Sequence, residues 1–513
     1  MKKSLFVLFC FICLGVSIFA GGTQQDAAGG TKPLEFSMYY MDNATLPFRG
    51  DWLAVRKAQE MFNVKINWEI IPIADYATKA SVALNSGNAP DVILYQSITG
   101  ENASLAVNGA IIPISDYASW TPNFNARVAE FGLQADVDML KLRDGKRYNL
   151  PSLYDKPFYD GGLILREDIL AKYNKPAPAT FEDLYALAKA YKADNPASYP
   201  VTILVGPRVH YRMTQPSWGI SVHANGAGGS RVLSWDYGKK QFFAGAISEQ
   251  YREYMRFWHR MYAEGLLDPE MVEPIPGDVW TRKMATGASI ATYAYYDQIG
   301  GVAAATKIPG FKLNLFPPLA GPAGAYHQQK DKTGQGIIFP AKTAKNPNFE
   351  RIVRAVDAIF FSKEGALLWD YGVEGETFTR QGNTVKFTDS IVNSPDGIYK
   401  TMQLRYGCGS ATTQYVWVNA EQMVKYDENY AAINAKVAAM NNAIQSLPPM
   451  PKFDDLASEK ATSLMGVLFD AFTVWDDAFL TGKKSLDTDW AAYVAEMRQK
   501  GIDEHLALYN SHL

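Results

Sequence analysis

The first hundred residues alternate short apolar strands with amphipathic helices, and this alternation constrains the fold more than any other feature of the chain. Strands are predicted at Leu34 to Tyr40, Val64 to Ile71 and Val92 to Tyr95. Between them, Trp52 to Phe62 and Asp75 to Asn85 place apolar residues at helical spacing. This order predicts a parallel α/β sheet. Ligands of such sheets bind beyond the carboxyl ends of the strands, so the loops after the first and third strands are the first candidates for a site.

A second α/β region follows, and the C-terminal part of the chain is mainly helical. Strands are predicted at Leu163 to Leu165, Val201 to Val205 and Ala288 to Tyr296. Thr180 and Asp183 form a capping-box variant at the start of a helix. Helices are predicted at 167–173, 181–191, 250–262, 349–361, 431–445, 458–480 and 487–500. A chain of 513 residues with this pattern fits two large lobes or two to three domains.

The N-terminus predicts export. Two lysines precede an apolar stretch, Ser4 to Phe19, that is too short for a spanning helix of about 20 residues. Ala20 supplies a small residue at the cleavage position. We therefore predict a signal peptide at 1–20 and a flexible leader at 21–33. The mature protein is expected in the periplasm or at the outer face of the cytoplasmic membrane.

Cysteine content and charge agree with an exported, soluble protein. Cys10 and Cys13 lie in the predicted signal peptide, so only Cys408 remains afterwards and no internal disulfide is possible. Neither early cysteine has the flanks of a lipidation site, so a lipid anchor is not expected. The formal charge of -3 arises from 50 basic and 53 acidic residues, without the basic excess of a nucleic-acid binder. No later apolar run reaches spanning length.

Catalytic motifs are mostly missing from the sequence. None of the six histidines forms an i, i+4 pair, and neither a GxxxxGKS loop nor a GxSxG elbow occurs. The glycine-rich segment 226–229 lacks the strand and helix of a phosphate loop, which favours a flexible loop. Carboxylates are plentiful, so a glycosidase pair stays open.

Several motifs, in order along nearly the whole mature chain, resemble those of family 1 extracellular solute-binding proteins. Residues 85–91 (NSGNAPD) are similar to the family's SGxxPD element, and 165–184 resembles its R-D-L … P-T-T-x-E-E-L segment. Residues 371–375 (YGVEG), 481–494 and 500–509 are similar to elements of a long, lipoprotein-like, oligosaccharide-binding branch.

This resemblance implies a two-lobed α/β fold of the type II periplasmic binding protein class with a helical C-terminal region. The first lobe should comprise 34–158 and 334–380, and the second 159–333 and 381–513. Solute would bind in the interlobe cleft and favour the closed form, because only that form contacts solute with both lobes.

The implied function is the solute-binding component of an ABC importer, which captures a sugar or oligosaccharide and delivers it to the permease subunits. The resemblance implies a monomer without enzymatic activity, cofactor or nucleic-acid partner. Some long relatives carry a D-x-N-x-D calcium loop, but residues 192–199 offer only Asp194 and Asn195, too few oxygens for calcium, so no metal is expected. A secreted carbohydrate-active enzyme and a sensory or adhesive surface protein remain the alternatives.

Sugar binding needs hydrogen-bonding groups and aromatic rings on cleft-facing loops. The candidates that meet this need are Tyr40, Asp42, Asn43, Gln96, Tyr154, Lys156, Arg166, Trp218, Tyr295, Tyr296, Asp297, Trp369, Glu374 and Arg380. Each has a structural alternative: Arg166 paired with Asp168, for example, or Glu374 holding its own turn. Because successive strand residues point to opposite faces, only one of Tyr295 and Tyr296 can face the cleft squarely.

Overall fold

A computed structural model provides the structure of the protein. It describes residues 32–42, 47–98, 101–154, 161–204, 207–222, 229–272, 275–295, 298–328, 332–381, 384–394, 398–409, 444–445 and 448–513. The predicted signal peptide, nearly all of the leader, and the predicted helix 431–445 except its last two residues lie outside these ranges. Among the described helices, none combines the length and apolar character that crossing a membrane requires.

The strands, in chain order, are β1 (Leu34–Asp42), β2 (Val64–Pro72), β3 (Val92–Gln96), β4 (Leu150–Leu153), β5 (Gly161–Arg166), β6 (Val201–Ile203), β7 (Ser234–Asp236), β8 (Gln241–Phe243), β9 (Ala291–Tyr295), β10 (Leu313–Phe316), β11 (His327–Gln328), β12 (Thr333–Ile338), β13 (Phe378–Gln381), β14 (Thr384–Phe387) and β15 (Ile444–Gln445).

The helices are α1 (Leu53–Met61), α2 (Ile73–Ser86), α3 (Glu101–Val107), α4 (Pro122–Glu130), α5 (Gln134–Asp138), α6 (Glu167–Lys172), α7 (Phe181–Asp194), α8 (Pro207–Thr214), α9 (Glu249–Ala263), α10 (Gly277–Thr286), α11 (Gln298–Ala305), α12 (Phe349–Phe361), α13 (Lys363–Tyr371), α14 (Asp389–Val392), α15 (Ile398–Thr401), α16 (Asp455–Thr481), α17 (Trp490–Gln499) and α18 (Ile502–Asn510).

The first lobe is built on a sheet that has, within the described residues, the strand order β2-β1-β3-β12-β4. β1 runs parallel to β2 and β3, as the alternating pattern predicts, whereas β12 runs antiparallel to both β3 and β4. The carboxyl ends of β1 to β4 therefore share one edge with the amino end of β12. Asp42, Gln96, Leu153 and Thr333 stand at this edge.

Helices cover both faces of this sheet, and the core extends further along the chain than the sequence indicates. One face packs against α1, α12 and α13, and the other against α2 and α3. Val385, Ile391, Met402 and Cys408 are buried in the first of these clusters. The predicted lobe boundary at residue 380 is therefore too early, because the apolar side chains up to residue 408 pack on the first lobe.

The second lobe is built on a sheet with the described order β10-β5-β9-β6. β9 is parallel to β6 and antiparallel to β5, and β5 is antiparallel to β10. The carboxyl ends of β6, β9 and β10 thus share one edge with the amino end of β5. The C-terminal helices α16 to α18 pack onto this lobe, where Phe472, Phe479 and Tyr493 join its aromatic core.

A local signal accounts for the start of α7. At the start of α7, the Thr180 hydroxyl oxygen accepts from the backbone N–H of Asp183 at 3.1 Å, and the Asp183 carboxylate accepts from the backbone N–H of Thr180 at 2.9 Å. The predicted capping box is confirmed. Each such bond satisfies a backbone donor that the first helical turn leaves without a partner.

The chain passes between the two sheets three times along the described order. It leaves the first sheet after β4 and returns at β12, after β11. It leaves again after residue 409 and reaches β15, which pairs in parallel with β11. The cleft edges of both sheets lie next to these crossings, because β4 ends, β5 begins and β12 begins at those edges.

Candidate functional site

Tyr95 marks the cleft edge of the first lobe with an unusual backbone. Its φ is 57°, in the left-handed region that non-glycine residues seldom adopt. In the pairing with β12, Gln96 lies opposite Gly336 and Ile93 opposite Ile338, so β3 carries one extra residue there. Such a bulge redirects a side chain, and bulges occur often beside functional sites. Sequence reasoning predicted this strand as Val92 to Tyr95 and selected Gln96, the residue after it, but did not select Tyr95.

The Tyr95 side chain lies near two tyrosines that come from different lobes. Burial raises the pKa of Tyr95, and the phenol groups of Tyr154 and Tyr295 lie close enough to raise it further. Tyr154 directly follows β4 in the first lobe, and Tyr295 ends β9 in the second. All three side chains are half-buried. We call these three residues the tyrosine cluster; it joins the facing edges of the two sheets.

Glycine at the start of β12 makes room for part of this cluster. A Cβ atom added at Gly334 would lie 2.2 Å from the Ser152 hydroxyl oxygen and 3.5 Å from the Tyr154 phenol oxygen. The Tyr154 backbone N–H also donates to the Lys332 carbonyl at 2.9 Å. Tyr154 is thus held against the beginning of β12 at the point where the chain has returned to the first lobe.

A cation lies beside the cluster on the second lobe. The Arg212 guanidinium carbon is 5.5 Å from the centre of the Tyr295 ring, within the range of a cation–π contact. Its helix α8 packs tightly on β5, because a Cβ atom at Gly161 would come within 2.5 Å of the Met213 methyl carbon. The cleft edge therefore combines aromatic rings, phenol groups and a half-buried guanidinium.

The predicted site residues near the ends of β1 and β3 make contacts within the first lobe. Tyr40 is 3% exposed, with its ring centre 4.7 Å from that of Phe48. The Asp42 carboxylate accepts from the Phe48 backbone N–H at 2.7 Å, which closes its own loop. Gln96 is 5% exposed and accepts from the Asn102 amide at 3.2 Å. In contrast to the predicted ligand contacts, Tyr40 and Gln96 are packed within the lobe.

Arg166 lies away from the cleft edge, in contrast to its prediction as a ligand contact. Its guanidinium is 3% exposed and forms an ion pair with Asp168 at 2.5 Å, the structural alternative that the sequence had left open. It also lies over the Phe311 ring at 4.7 Å. Arg166 ends β5, whose amino end is the one at the cleft. Five residues of strand, about 17 Å, separate the two ends, so Arg166 stands at the opposite edge of the sheet.

Trp369 is also misplaced by the prediction. Its ring is 2% exposed and stacks on Phe360 with centres 5.8 Å apart, while its indole N–H donates to the Ile359 carbonyl at 3.2 Å. It belongs to the core of the first lobe. Glu374 and Arg380 form an ion pair with each other at 3.0 Å beside β13, with both side chains about half exposed.

Trp218 and the remaining candidates complete the set. The Trp218 ring packs on the second lobe, 5.6 Å from the ring centre of Phe181 and 5.8 Å from that of Tyr254, so most of its surface faces the core. Among the sequence candidates that the structure describes, Tyr154 and Tyr295 both lie near Tyr95. Asn43, Lys156, Tyr296 and Asp297 lie outside the described residues.

Residues that could hold a metal were also located. Within the described ranges, no group of three or more His, Cys, Asp or Glu side chains is arranged to bind an ion. In the segment tested for a calcium loop, the Asp194 carboxylate accepts from the Tyr173 phenol at 2.7 Å. The Lys192 ammonium donates to the Ser198 carbonyl at 2.6 Å. A lysine cation therefore already contacts a carbonyl oxygen of this loop.

Comparison with known proteins finds relatives among bacterial binding proteins. Its sequence is 21% identical to the polygalacturonan/rhamnogalacturonan-binding protein YtcQ of Bacillus subtilis, over 65% of this chain and 66% of that one. It is 23% identical to the fructooligosaccharide ABC transporter substrate-binding protein FusA of Streptococcus pneumoniae, over 60% and 57%. The chain thus aligns with two thirds or less of these relatives.

The fold is similar to that of a solved two-lobed binding protein. The alginate-binding protein AlgQ2, in its structure without calcium ion, superposes with a TM-score of 0.76 at 19% identity, covering 94% of this chain and 98% of that one. The model of the family described as bacterial extracellular solute-binding protein matches residues 54–357, more than half of the chain. The protein therefore belongs to the bacterial extracellular solute-binding protein family.

Proposed function

We propose that this protein captures a sugar or oligosaccharide between its lobes and hands it, as a monomer, to the permease of an ABC importer. The observation that carries the proposal is the tyrosine cluster, in which phenol groups from two lobes lie near one another beside Arg212. The names of the relatives, which bind polygalacturonan or rhamnogalacturonan, fructooligosaccharide and alginate, support a saccharide as the solute.

The chemistry of the cluster suits a saccharide. A tyrosine ring offers a flat apolar face for the C–H groups of a sugar, and its phenol both donates and accepts hydrogen bonds. Arg212 adds a guanidinium that can donate to hydroxyl or carboxylate oxygens. A ligand that touches Tyr95 and Tyr295 at once contacts both lobes, and so stabilises the closed form. The permease would then distinguish loaded from empty protein by closure.

The competing enzyme hypothesis finds no support in the serine–histidine pair of the second lobe. The Ser230 hydroxyl lies 3.1 Å from Nε2 of His505, but both side chains are fully buried. The Ser230 oxygen also accepts from the backbone N–H groups of Val232 and Leu233. This serine is held as a turn element, and no solute can reach it. We infer binding without turnover, which intact recovery of the sugar would test.

Thermal unfolding of residues 21–513 with a panel of neutral and acidic saccharides tests the proposal. A ligand at 100 times its dissociation constant should add about 2.7 kcal/mol of stability, a shift of a few degrees for a chain of this size. Tyr95→Asn should abolish the shift, because asparagine tolerates the left-handed backbone but lacks the ring. Tyr95→Phe should keep part of it.

Tyr199→Asn provides the matched control. Tyr199 is 38% exposed and precedes the amino end of β6, at the edge of the sheet away from the cleft. Its replacement should leave the ligand-induced shift unchanged. A flat response of the unmodified protein to every saccharide, or a full response of Tyr95→Asn, would overturn the proposed site.

A further inference from the structure

A buried carboxyl group in the second lobe connects three helices. Asp476 lies on α16 and is 1% exposed. Its carboxylate accepts hydrogen bonds from the Tyr211 phenol of α8 at 2.5 Å and from the Tyr251 phenol of α9. The two oxygen atoms of one side chain thus attach the C-terminal helix α16 to both α8 and α9.

The helix α8 connects this carboxyl group to the candidate site. Arg212 directly follows Tyr211 and is half-buried, with its guanidinium carbon 5.5 Å from the centre of the Tyr295 ring at the cleft edge. Adjacent residues of a helix point about 100° apart. One turn of α8 therefore directs Tyr211 to Asp476 and Arg212 to the tyrosine cluster, so the rotation of α8 about its axis determines where Arg212 lies.

A second hydrogen bond holds the end of α8 without any change of charge. The Thr214 hydroxyl and the Tyr254 phenol of α9 lie 2.8 Å apart, and both side chains are buried. Burial raises the pKa of Tyr254 far above neutral pH, so this bond is the same in acid and in mild alkali. The bond from Tyr211 differs from it, because its acceptor can gain or lose a proton.

The charge of Asp476 determines how the two phenols are oriented. An ionised carboxylate only accepts, so both phenols donate to it. A protonated carboxyl group has a hydrogen of its own to donate, and the phenols of Tyr211 and Tyr251 are already in contact with it. A phenol that accepts this hydrogen directs its own hydrogen away from Asp476. A phenol that goes on donating does so to a neutral group, which is the weaker bond. Protonation therefore weakens the attachment of α8 to α16.

This change of charge falls near neutral pH. Burial raises the pKa of Asp476 to about 7, against the lowering effect of the two phenol hydrogen bonds, and neighbouring Asp477 raises it further. The titratable side chains that face Asp476, in the part of the chain that the structure describes, are Tyr211 on α8, Tyr251 and Tyr254 on α9, Tyr493 on α17 and Asp477 on α16 itself. Burial holds the pKa values of the four phenols far above this range, so they stay uncharged while Asp476 titrates.

We propose that Asp476 is a positioning residue for ligand binding, whose ionised carboxylate holds α8 so that Arg212 lies at the tyrosine cluster. This inference rests on the proposed function, because it assigns Arg212 to the ligand. A ligand that binds Arg212 fixes α8, and so favours the ionised form of Asp476. Because coupling between two binding equilibria is reciprocal, ligand binding then releases protons, and affinity rises with pH through the neutral range.

Calorimetric titration at pH 5.5 and pH 8, with a saccharide that stabilises the protein, tests this inference. The affinity of the unmodified protein should be about fivefold to tenfold higher at pH 8, within the usual range for a coupling between two sites. At pH 7, titration in two buffers of different ionisation enthalpy should show proton release on binding. Asp476→Asn should bind with the weaker affinity at both pH values and release no protons, because its neutral amide has one acceptor atom only.

Tyr211→Phe and Tyr251→Phe form a matched pair of variants. Each removes one phenol hydrogen bond to the same carboxylate and keeps the ring, but only Tyr211 lies on the helix that carries Arg212. Measurement at pH 9 keeps Asp476 ionised in both, since loss of a phenol bond raises its pKa. Tyr211→Phe should weaken binding about fivefold to tenfold, and Tyr251→Phe by less than about twofold. A cluster that only stabilises the fold would respond alike to both changes.

The outcomes separate this inference from the proposed function. If a saccharide binds the unmodified protein equally well at pH 5.5 and pH 8, or if Asp476→Asn keeps the full pH dependence, positioning by Asp476 is refuted while saccharide binding stands. Equal effects of Tyr211→Phe and Tyr251→Phe would refute the connection through α8. If no saccharide binds at any pH, both fail. If Asp476→Asn does not fold, the pH profile and proton release of the unmodified protein, with the two tyrosine variants, still decide.

Discussion

Asp476→Asn should remove the loss of stability that this buried carboxyl group causes as the pH rises from 5 to 8. Asp476 lies on α16, 1% exposed, and accepts hydrogen bonds from the Tyr211 phenol of α8 at 2.5 Å and from the Tyr251 phenol of α9. Burial raises its pKa to about 7, although both phenols act to lower it and neighbouring Asp477 raises it further. This carboxyl joins the C-terminal helices to the helix that carries Arg212.

The direction follows from linkage between proton binding and folding. Because the folded protein holds the Asp476 proton more tightly than the unfolded chain, this group stabilises the fold at acidic pH, and the contribution is lost as the pH rises through about 7. With 3.8 as the unfolded value, the change between pH 5 and pH 8 is about 2.6 kcal/mol. The surrounding phenols of Tyr211, Tyr251, Tyr254 and Tyr493 have pKa values raised far above this window by burial.

Urea unfolding at pH 5, 6, 7 and 8, followed by tryptophan fluorescence, measures this effect. Between pH 5 and pH 8 the stability of Asp476→Asn relative to the unmodified protein should rise by about 2–3 kcal/mol. Asp357, whose pKa burial raises to about 6, adds a smaller slope of the same sign. Burial lowers the pKa of His210 to about 3 and that of His505 to about 4, which adds slopes of the opposite sign. These three contributions are present in both proteins and cancel in their difference. Equal slopes for the two proteins would refute the argument that burial outweighs the phenol hydrogen bonds.

Three further predictions concern other parts of the fold. Calcium or a chelator should leave the melting temperature unchanged, because Lys192 already contacts the loop carbonyl of Ser198; a shift of several degrees would contradict this. Trp369→Ala should lower the free energy of unfolding in urea by about 3–5 kcal/mol without changing the ligand affinity of the folded protein. A loss of affinity at unchanged stability would show that Trp369 contacts the ligand. Thr180→Ala should lower stability by about 1 kcal/mol through loss of the cap, and an unchanged urea midpoint would refute that.

Features that depend on neighbouring residues were predictable from the sequence. The strands and helices between Leu34 and Gln96 follow from apolar periodicity, and the cap at Thr180 follows from residue types three positions apart. The pairing of β12 into the first sheet, more than 200 residues after β3, depends on long-range packing. The same holds for the burial of Met402 and Cys408 in the first lobe, which local patterns do not record.

Strand direction explains why Arg166 lies away from the cleft edge. Loops after strands were taken to face the cleft, which is correct only when all strands run the same way. β5 runs antiparallel to β9, so the end that carries Arg166 lies opposite the end of β9 that carries Tyr295. Trp369 was selected because it neighbours a family motif in sequence, yet a helix residue two positions from a motif can face the core.

Tyr95 shows what kind of candidate site residue remains invisible until the register is known. A bulge with a left-handed residue normally uses glycine, which adopts that backbone without steric cost. Here the position is filled by a large aromatic residue with φ 57°, near tyrosines from both lobes. A strained tyrosine persists only where its surroundings hold it and its ring is needed. Its value as evidence therefore lies in the combination of backbone strain with a position between the lobes, and neither is visible in the residues Leu94, Tyr95 and Gln96 alone.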